Sequence, residues 1–150
     1  MSSADSVSQN TQDSFSSFRI SFAQGQSLVT TGNATTTLPI LNGGIQGGQY
    51  IIRRITIANP SNIAGGAVMN VAAANVTILT SNDGNTANSV TTNVGQTLAN
   101  ISGANTWQDL TLVAATASTA YTANALFVKV GVGVTNAAVN ISVFGDVISF

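Results

Sequence analysis

Apolar and polar residues alternate with a period of two along most of this chain, which is the pattern of half-buried strands. The clearest case is residues 50–58, where alternation predicts two faces. One face would carry Ile51, Arg53, Ile55 and Ile57, and the other Tyr50, Ile52, Arg54 and Thr56. The same reasoning predicts strands over 15–22, 27–31, 36–41, 75–80, 89–101, 106–113, 126–134 and 139–147. The small apolar residues at 65–74 are compatible with a short helix or a strand, and we favour a strand.

Glycine, proline and asparagine divide these segments. Gly25 is predicted to break the first strand, and Asn59-Pro60 to end the strand over 50–58, because proline cannot donate to a ladder. Asp83-Gly84 predicts a turn. The segments 126–134 and 139–147 resemble the two strands of a hairpin.

Many short strands with turn residues between them predict an all-β fold. We expect residues 15–150 to form a single antiparallel β-sandwich, jelly-roll-like in topology. An eight-stranded up-and-down barrel is the structural alternative. Residues 1–14 are almost entirely polar, so we expect a flexible arm there unless a partner orders it.

Charged residues make up 6 % of the chain against 44 % hydrophobic residues. There is no His, Cys or Glu; the charged residues are four Lys plus Arg and five Asp. Most enzyme chemistry needs a titratable group held near its target, so this composition argues against an enzyme. It also predicts no cofactor. The net charge of −1 favours association over a free monomer.

Two classes of partner are disfavoured by the sequence. A surface that tracks phosphates needs clustered Lys and Arg, and no basic stripe exists, so we expect no nucleic acid. No uninterrupted apolar stretch approaches the roughly 18 residues of a membrane-spanning helix, so we expect no membrane partner.

Individual residues offer little chemistry. A serine could be activated by Lys129, but a solvated strand lysine is the simpler interpretation. Asp83 lies in a sequence that superficially resembles a calcium loop, yet the twelfth position from it is Val94, where such a loop needs an acid. The glycine-rich segment 43–48 precedes a strand and lacks the Lys-Ser/Thr of a phosphate loop. We therefore predict no catalytic, metal or cofactor-binding residues.

The remaining charges and aromatic rings have structural interpretations. Arg53 and Arg54 are expected to pair with Asp109 or Asp146, across strands or across subunits. Trp107 is expected in the core, although it could stack on a sugar. Tyr50 and Tyr121 are the other candidates for stacking.

Four segments carry a resemblance to a known group. They are the strand and turn at 50–61, Leu110-Thr111-Leu112, the strand at 126–130 and Val143-Phe144-Gly145-Asp146-Val147. Together they resemble the small β-rich proteins of tailed bacteriophages that serve as head decoration or cement proteins. The resemblance covers roughly residues 36–150, and its motifs are structural. It implies a homo-oligomer, expected to be a homotrimer, on the outer surface of an icosahedral capsid.

The sequence thus predicts a virion structural protein that binds the major capsid protein and reinforces the head. Residues 1–24 are expected to order on the shell, by strand addition or by docking Phe15, Phe18 and Phe22 into a groove. Two alternatives remain open at this point. One is a receptor- or glycan-binding module of a phage fibre or tail, and the other is a capsid protein with a single jelly roll.

Overall fold

The computed structural model describes residues 18–29, 35–40, 48–92 and 95–149. Eight strands form within these residues. They are β1 (Phe18–Ser27), β2 (Thr36–Pro39), β3 (Gly48–Asn62), β4 (Asn75–Leu79), β5 (Gln96–Thr97), β6 (Trp107–Asp109), β7 (Ala125–Val132) and β8 (Ala137–Ser149). Two short 3-10 turns, Thr86–Asn88 and Ala114–Ser118, are the only helical segments in the described part. No described helix could span a membrane.

The strands form two four-stranded antiparallel sheets, which confirms the predicted all-β sandwich. Sheet I has the order β1-β8-β3-β6, and sheet II has the order β2-β7-β4-β5. The pairing is nested, because β1 pairs with β8, β2 with β7, β3 with β6 and β4 with β5. An up-and-down barrel would pair consecutive strands, and only β4 and β5 do so here, so that alternative is wrong.

One apolar core lies between the sheets. Inward-facing residues of β3 and β8 meet those of β4 and β7, and most of them have no exposed surface. The largest fully buried side chains are Ile20, Leu28, Leu38, Ile52, Ile55, Ile57, Ile78, Leu79, Leu98, Ile101, Leu126 and Ile141. Each such side chain stabilises the fold by roughly 1.5–3 kcal/mol relative to an exposed one.

A bulge in β3 changes which residues of that strand share a face. Ile52 is opposite Gly145 of β8, and Arg54 is opposite the very next residue, Phe144, so Arg53 is extra in the ladder. Both arginines are therefore exposed, while Ile52 and Ile55 on either side of them are buried. The prediction of strict alternation over 50–58 was wrong, because a bulge adds one residue without a partner.

A second bulge lies directly across β8 from the first. In β1, Arg19 is opposite Phe144 and Ser21 is opposite Val143, so Ile20 is extra. The inner strand β8 is thus flanked by two bulges that adjoin Phe144: the β3 bulge lies between the partners of Gly145 and Phe144, and the β1 bulge between the partners of Phe144 and Val143. Gly145 has no room for a side chain, because a Cβ there would overlap the carbonyl oxygen of Ile51.

Neither Gly25 nor Pro60 ends its strand, contrary to the sequence prediction. Gly25 has φ 68°, lies in a further irregularity of the β1–β8 ladder and donates its N–H to Asn140 Oδ1 at 3.0 Å. Pro60 falls where the β3–β8 register shifts between Ala58 and Ser61. A proline is tolerated at a bulge because no ladder donor is needed there.

Other segment predictions also need correction. The strands at 126–134 and 139–147 are not a hairpin pair, because β7 lies in sheet II and β8 in sheet I. Residues 65–74 form turns with one isolated bridge, between Ser61 and Val68, rather than a strand. The predicted strand at 106–113 is only three residues long. The predicted arm, residues 1–14, lies outside the described residues.

Candidate functional site

The outer surface of sheet I carries most of the charge of the described chain. Seven charged side chains are described, and five of them lie on this surface. Aromatic rings lie among them. We call this surface the arginine–aromatic face; it consists of Arg19, Phe22, Arg53, Arg54, Trp107, Asp109, Phe144 and Asp146.

Two ion pairs cross between strands on this face. Arg54 Nε donates to Asp109 Oδ1 at 2.8 Å, and Thr56 Oγ1 donates to the same oxygen at 2.6 Å. Arg53 Nε donates to Asp146 Oδ2 at 3.0 Å. The expected pairing of arginines with these two aspartates across strands is confirmed, and both pairs lie within one chain. All four side chains are two-fifths to one-half exposed, so each pair adds at most about 1 kcal/mol of stability.

Aromatic rings hold two of the guanidinium groups. Arg54 lies between Trp107, whose ring centre is 5.5 Å from Cζ, and Phe144, at 5.7 Å. Arg19 lies over the Phe22 ring at 4.3 Å. Such contacts fix the planes of the guanidinium groups and keep their edges open to solvent.

Trp107 is 56 % exposed, so its predicted place in the core was wrong. It begins β6, a three-residue strand at the edge of sheet I, opposite Ala58 of β3. Asp109 lies two residues further on and therefore shares its face. The carboxylate of Asp109 was the sequence signal that Trp107 is exposed, because a strand face that carries an aspartate usually faces solvent.

The two tyrosines have structural roles instead of forming a stacking platform. Tyr50 is 4 % exposed and donates its hydroxyl to the Ala123 carbonyl at 2.8 Å. Its backbone bridges to Tyr121, and the ring centres are 6.0 Å apart. The Tyr121 hydroxyl bonds to Thr116 Oγ1 at 3.2 Å. Both rings therefore join the 110–124 connection to β3.

Burial, together with the nearby Tyr121, raises the pKa of Tyr50 to about 12 from 10.0. The unfolded chain ionises this hydroxyl near pH 10 and the folded chain near pH 12, so the folded state retains its proton longer. Stability is therefore full below pH 10 and falls by about 3 kcal/mol as the pH rises to about 12. Urea unfolding at a series of alkaline pH values measures this loss. Y50F, which cannot ionise at that position, should lose correspondingly less, and an equal loss would contradict the prediction.

Lys129 and Asp83 are tied to one turn. Lys129 Nζ donates to the Gly84 carbonyl at 3.1 Å, which is not the contact a Ser–Lys pair requires. Asp83 Oδ1 accepts from Ser81 Oγ at 2.6 Å and from the Asn85 N–H at 2.9 Å, and these two bonds lower the pKa of its carboxyl group. Within the described residues no three acidic side chains come together as a metal site would require. The glycine-rich segment 43–48 lies almost wholly outside the described part.

An open cavity of about 510 Å³ lies beside this turn. Threonines, small residues and Tyr121 line it, and none of the charged residues of the described chain is among them. It offers neutral hydroxyl groups with no convergent charge. The arginine–aromatic face is therefore the richer candidate site.

The end of the sandwich where β3 ends and β8 begins is apolar and uncharged. The connections β3–β4, β5–β6 and β7–β8 meet there, beside Leu28 at the end of β1; backbone bonds join Leu28 to Ala137, Ile63 to Asn136 and Val71 to Ile101. None of the three connections contains a charged residue. Exposed apolar side chains lie in or beside them: Val29, Ile63, Val68 and Val132.

Comparison with known proteins gives no relative: no family model, no curated protein and no solved structure matches this chain. Function must therefore be inferred from the surface chemistry and the topology of the chain itself.

Proposed function

We propose that this chain is a virion structural protein, a decoration or cement protein that binds the major capsid protein on the outer surface of a head. The supporting observation is the nested strand order, β1-β8-β3-β6 against β2-β7-β4-β5. We interpret this order as a jelly roll, in which a long antiparallel ribbon wraps around one core. Jelly rolls are common among capsid proteins.

The distribution of charge supports a decorating role over that of a genome-enclosing shell subunit. A shell subunit would need cationic surface toward the nucleic acid. Here the described arginines share one face with two carboxylates, and the Lys129 ammonium group is bonded to a backbone carbonyl. A single jelly-roll capsid protein remains the alternative that the same topology allows. The copy number per particle, measured by quantitative mass spectrometry, separates the two.

Self-association, proposed as a homotrimer, is supported by the uncharged apolar end of the sandwich. Several exposed apolar side chains at an end of the fold whose connections carry no charge are typical of surfaces that other subunits cover. Buried apolar area would stabilise the contacts by about 25 cal/mol per Å², before the ordering cost of association. Repeated contacts on a lattice would then raise the effective affinity.

Glycan or receptor binding is the second candidate, and the exposed Trp107 is the observation that favours it. An exposed indole beside Arg54 and Asp109 could stack on a sugar ring and bond its hydroxyls. A glycan array distinguishes the two functions, because a decoration protein should show no hits. Defined lattice positions in a cryo-EM map of the particle would favour decoration.

Removal of residues 1–14 should weaken attachment to the head. The reason is that this polar segment leads toward β1, the longest edge strand of either sheet, and strand addition there would tether the chain. The measurement is occupancy on purified heads, by cryo-EM or quantitative mass spectrometry, for the full and shortened chains. Equal occupancy would contradict a role for this segment, while absence of the full chain from heads would overturn the proposed function itself.

A further inference from the structure

We infer that the arginine–aromatic face binds an extended acidic segment of the shell subunit, with carboxylates on its guanidinium groups and an apolar side chain between them. This inference rests on the proposed function and specifies which surface meets the shell.

The face has more free donors than free acceptors. Arg53 and Arg54 each use Nε in their ion pairs, and their terminal amino groups bond to no other described residue. Arg19 forms no ion pair with a described carboxylate. Asp109 is already occupied by two donors, from Arg54 and Thr56. The open edges of three guanidinium groups are therefore matched best by carboxylates, which accept such donors in pairs.

The net charge points to the same partner. Three guanidinium groups and two carboxylates give this face a charge of +1 in a chain whose total is −1. Lys129, the remaining cation, is bonded to Gly84 of the turn at 81–85. An acidic partner is thus attracted to this face more than to the rest of the described surface.

The register of sheet I sets the spacing that the partner must match. Arg19 of β1 and Arg54 of β3 lie opposite the same residue of the inner strand β8, Phe144. Their backbones are two strand spacings apart, which is about 10 Å. An extended segment that crosses the strands would place its side chains at i, i+2 and i+4 on one face, with i and i+4 about 13 Å apart, a difference that inclined aspartate side chains would take up. Two acidic residues at that spacing would reach both arginines, and an apolar residue between them would contact Phe144.

The composition of the face favours a protein over a sugar. Tryptophan and arginine are the residues that dominate the energetics of protein interfaces. Guanidinium groups cover part of all three rings, and Phe22 and Phe144 are also half-buried, so only Trp107 keeps a large exposed area for stacking on this face. The two arginines that contact these rings, Arg19 and Arg54, instead present oriented hydrogen-bond donors at a spacing set by the sheet.

A defined peptide tests this inference without the shell. The probe is an acetylated, amidated six-residue peptide with two aspartates four positions apart and a leucine midway between them, titrated into the full chain at low salt and followed by NMR. The control peptide replaces both aspartates by asparagine. Binding should produce shifts at sheet I, and the asparagine peptide should bind at least about tenfold more weakly.

Matched variants separate a specific site from bulk charge. R19Q and W107A should each weaken the acidic peptide about three- to tenfold, because both remove exposed groups of the face. K129Q makes the same change in net charge as R19Q but on another surface, and it should bind as the wild type does. Equal weakening by K129Q and R19Q would overturn the inference.

Two further results would also overturn it. One is tighter binding of sialyllactose than of the acidic peptide, which would make the face a glycan site. The other is tighter peptide binding after removal of residues 1–14, which would mean that Asp5 and Asp13 of the chain itself occupy the face.

Purified heads distinguish failure of this inference from failure of the proposed function. If the wild-type chain occupies heads and the R19Q/W107A double variant shows reduced occupancy, both proposals are supported. Full occupancy by the double variant would overturn the choice of face alone. Absence of the wild-type chain from heads would overturn the proposed function, whatever the peptide does.

Discussion

Deletion of Thr56 should abolish folding, whereas deletion of Arg53, three residues earlier in the same strand, should leave a folded protein. Arg53 is the extra residue of the bulge in β3. Without it, Ile52 and Ile55 still face the core and Arg54 still faces solvent, now in regular alternation. The cost is one exposed ion pair, with Asp146, and the relaxation of the bulge.

After loss of Thr56, β3 cannot keep all of its buried isoleucines in the core. Ile55 and Ile57 would become neighbours, and neighbours on a regular strand point to opposite faces. Keeping Ile57 in the core would expose Ile55 and turn Arg54 inward, which combines a lost buried isoleucine with an uncompensated buried charge. Each of these alone costs several kcal/mol, and a small domain has about 5–15 kcal/mol in total.

Circular dichroism and urea unfolding of the two deletion variants measure the difference. The variant that lacks Arg53 should give a cooperative transition, and the variant that lacks Thr56 should give none. Two variants of similar stability would show that the bulge does not set the faces of β3.

The second large effect is expected from G145A, which should lower the free energy of unfolding by about 3 kcal/mol or more. The added methyl group would overlap the carbonyl oxygen of Ile51 in the neighbouring strand and would also press on Ile20 Cδ1 at 3.1 Å. Backbone cannot rotate away as a side chain can, so the β3–β8 ladder itself would have to shift. Overpacking of an ordinary core position costs about 1–3 kcal/mol, and a backbone overlap belongs at or beyond the top of that range.

G65A is the matched control for this prediction. Gly65 lies in the exposed turn after β3, and a Cβ there would meet nothing within 4 Å. Its free energy of unfolding should change by less than about 0.5 kcal/mol. If chemical denaturation gave the two alanine variants the same midpoint, the close approach at Gly145 would not be a constraint on the fold.

The general architecture could be predicted from the sequence because it depends on a simple period. Alternating residues and turn signals located β2, β4 and the middle of β3, β7 and β8 within a few positions. The bulges could not be predicted, because an extra residue in a ladder is defined by the partner strand. The sequence predicts strand ends at Gly25 and Pro60 for the same reason. Both residues interrupt the ladder locally, and only the register of β8 shows that pairing resumes beyond them.

The candidate site could likewise be predicted only in part from the sequence. The set of arginines and aspartates that pair was predictable, because so few charges exist in the chain. Which arginine meets which aspartate was not, since strict alternation would have put Arg53 and Arg54 on opposite faces. The exposure of Trp107 was indicated locally by Asp109 on the same strand face, whereas its place at the edge of sheet I follows only from the topology of that sheet.

The nested order of the strands has a consequence for how the protein is made. The inner strand β8 of sheet I is the last to be synthesised, and its partner on one side, β1, is among the first, with Phe18 opposite Gly145. Sheet I therefore cannot close until β8 itself has been synthesised. Closing such distant pairs costs loop entropy before any contact repays it, so folding should take milliseconds to seconds, as in other sandwiches of high contact order. The innermost pair, β4 with β5, is free to form first, and the ribbon then closes outward toward its two ends.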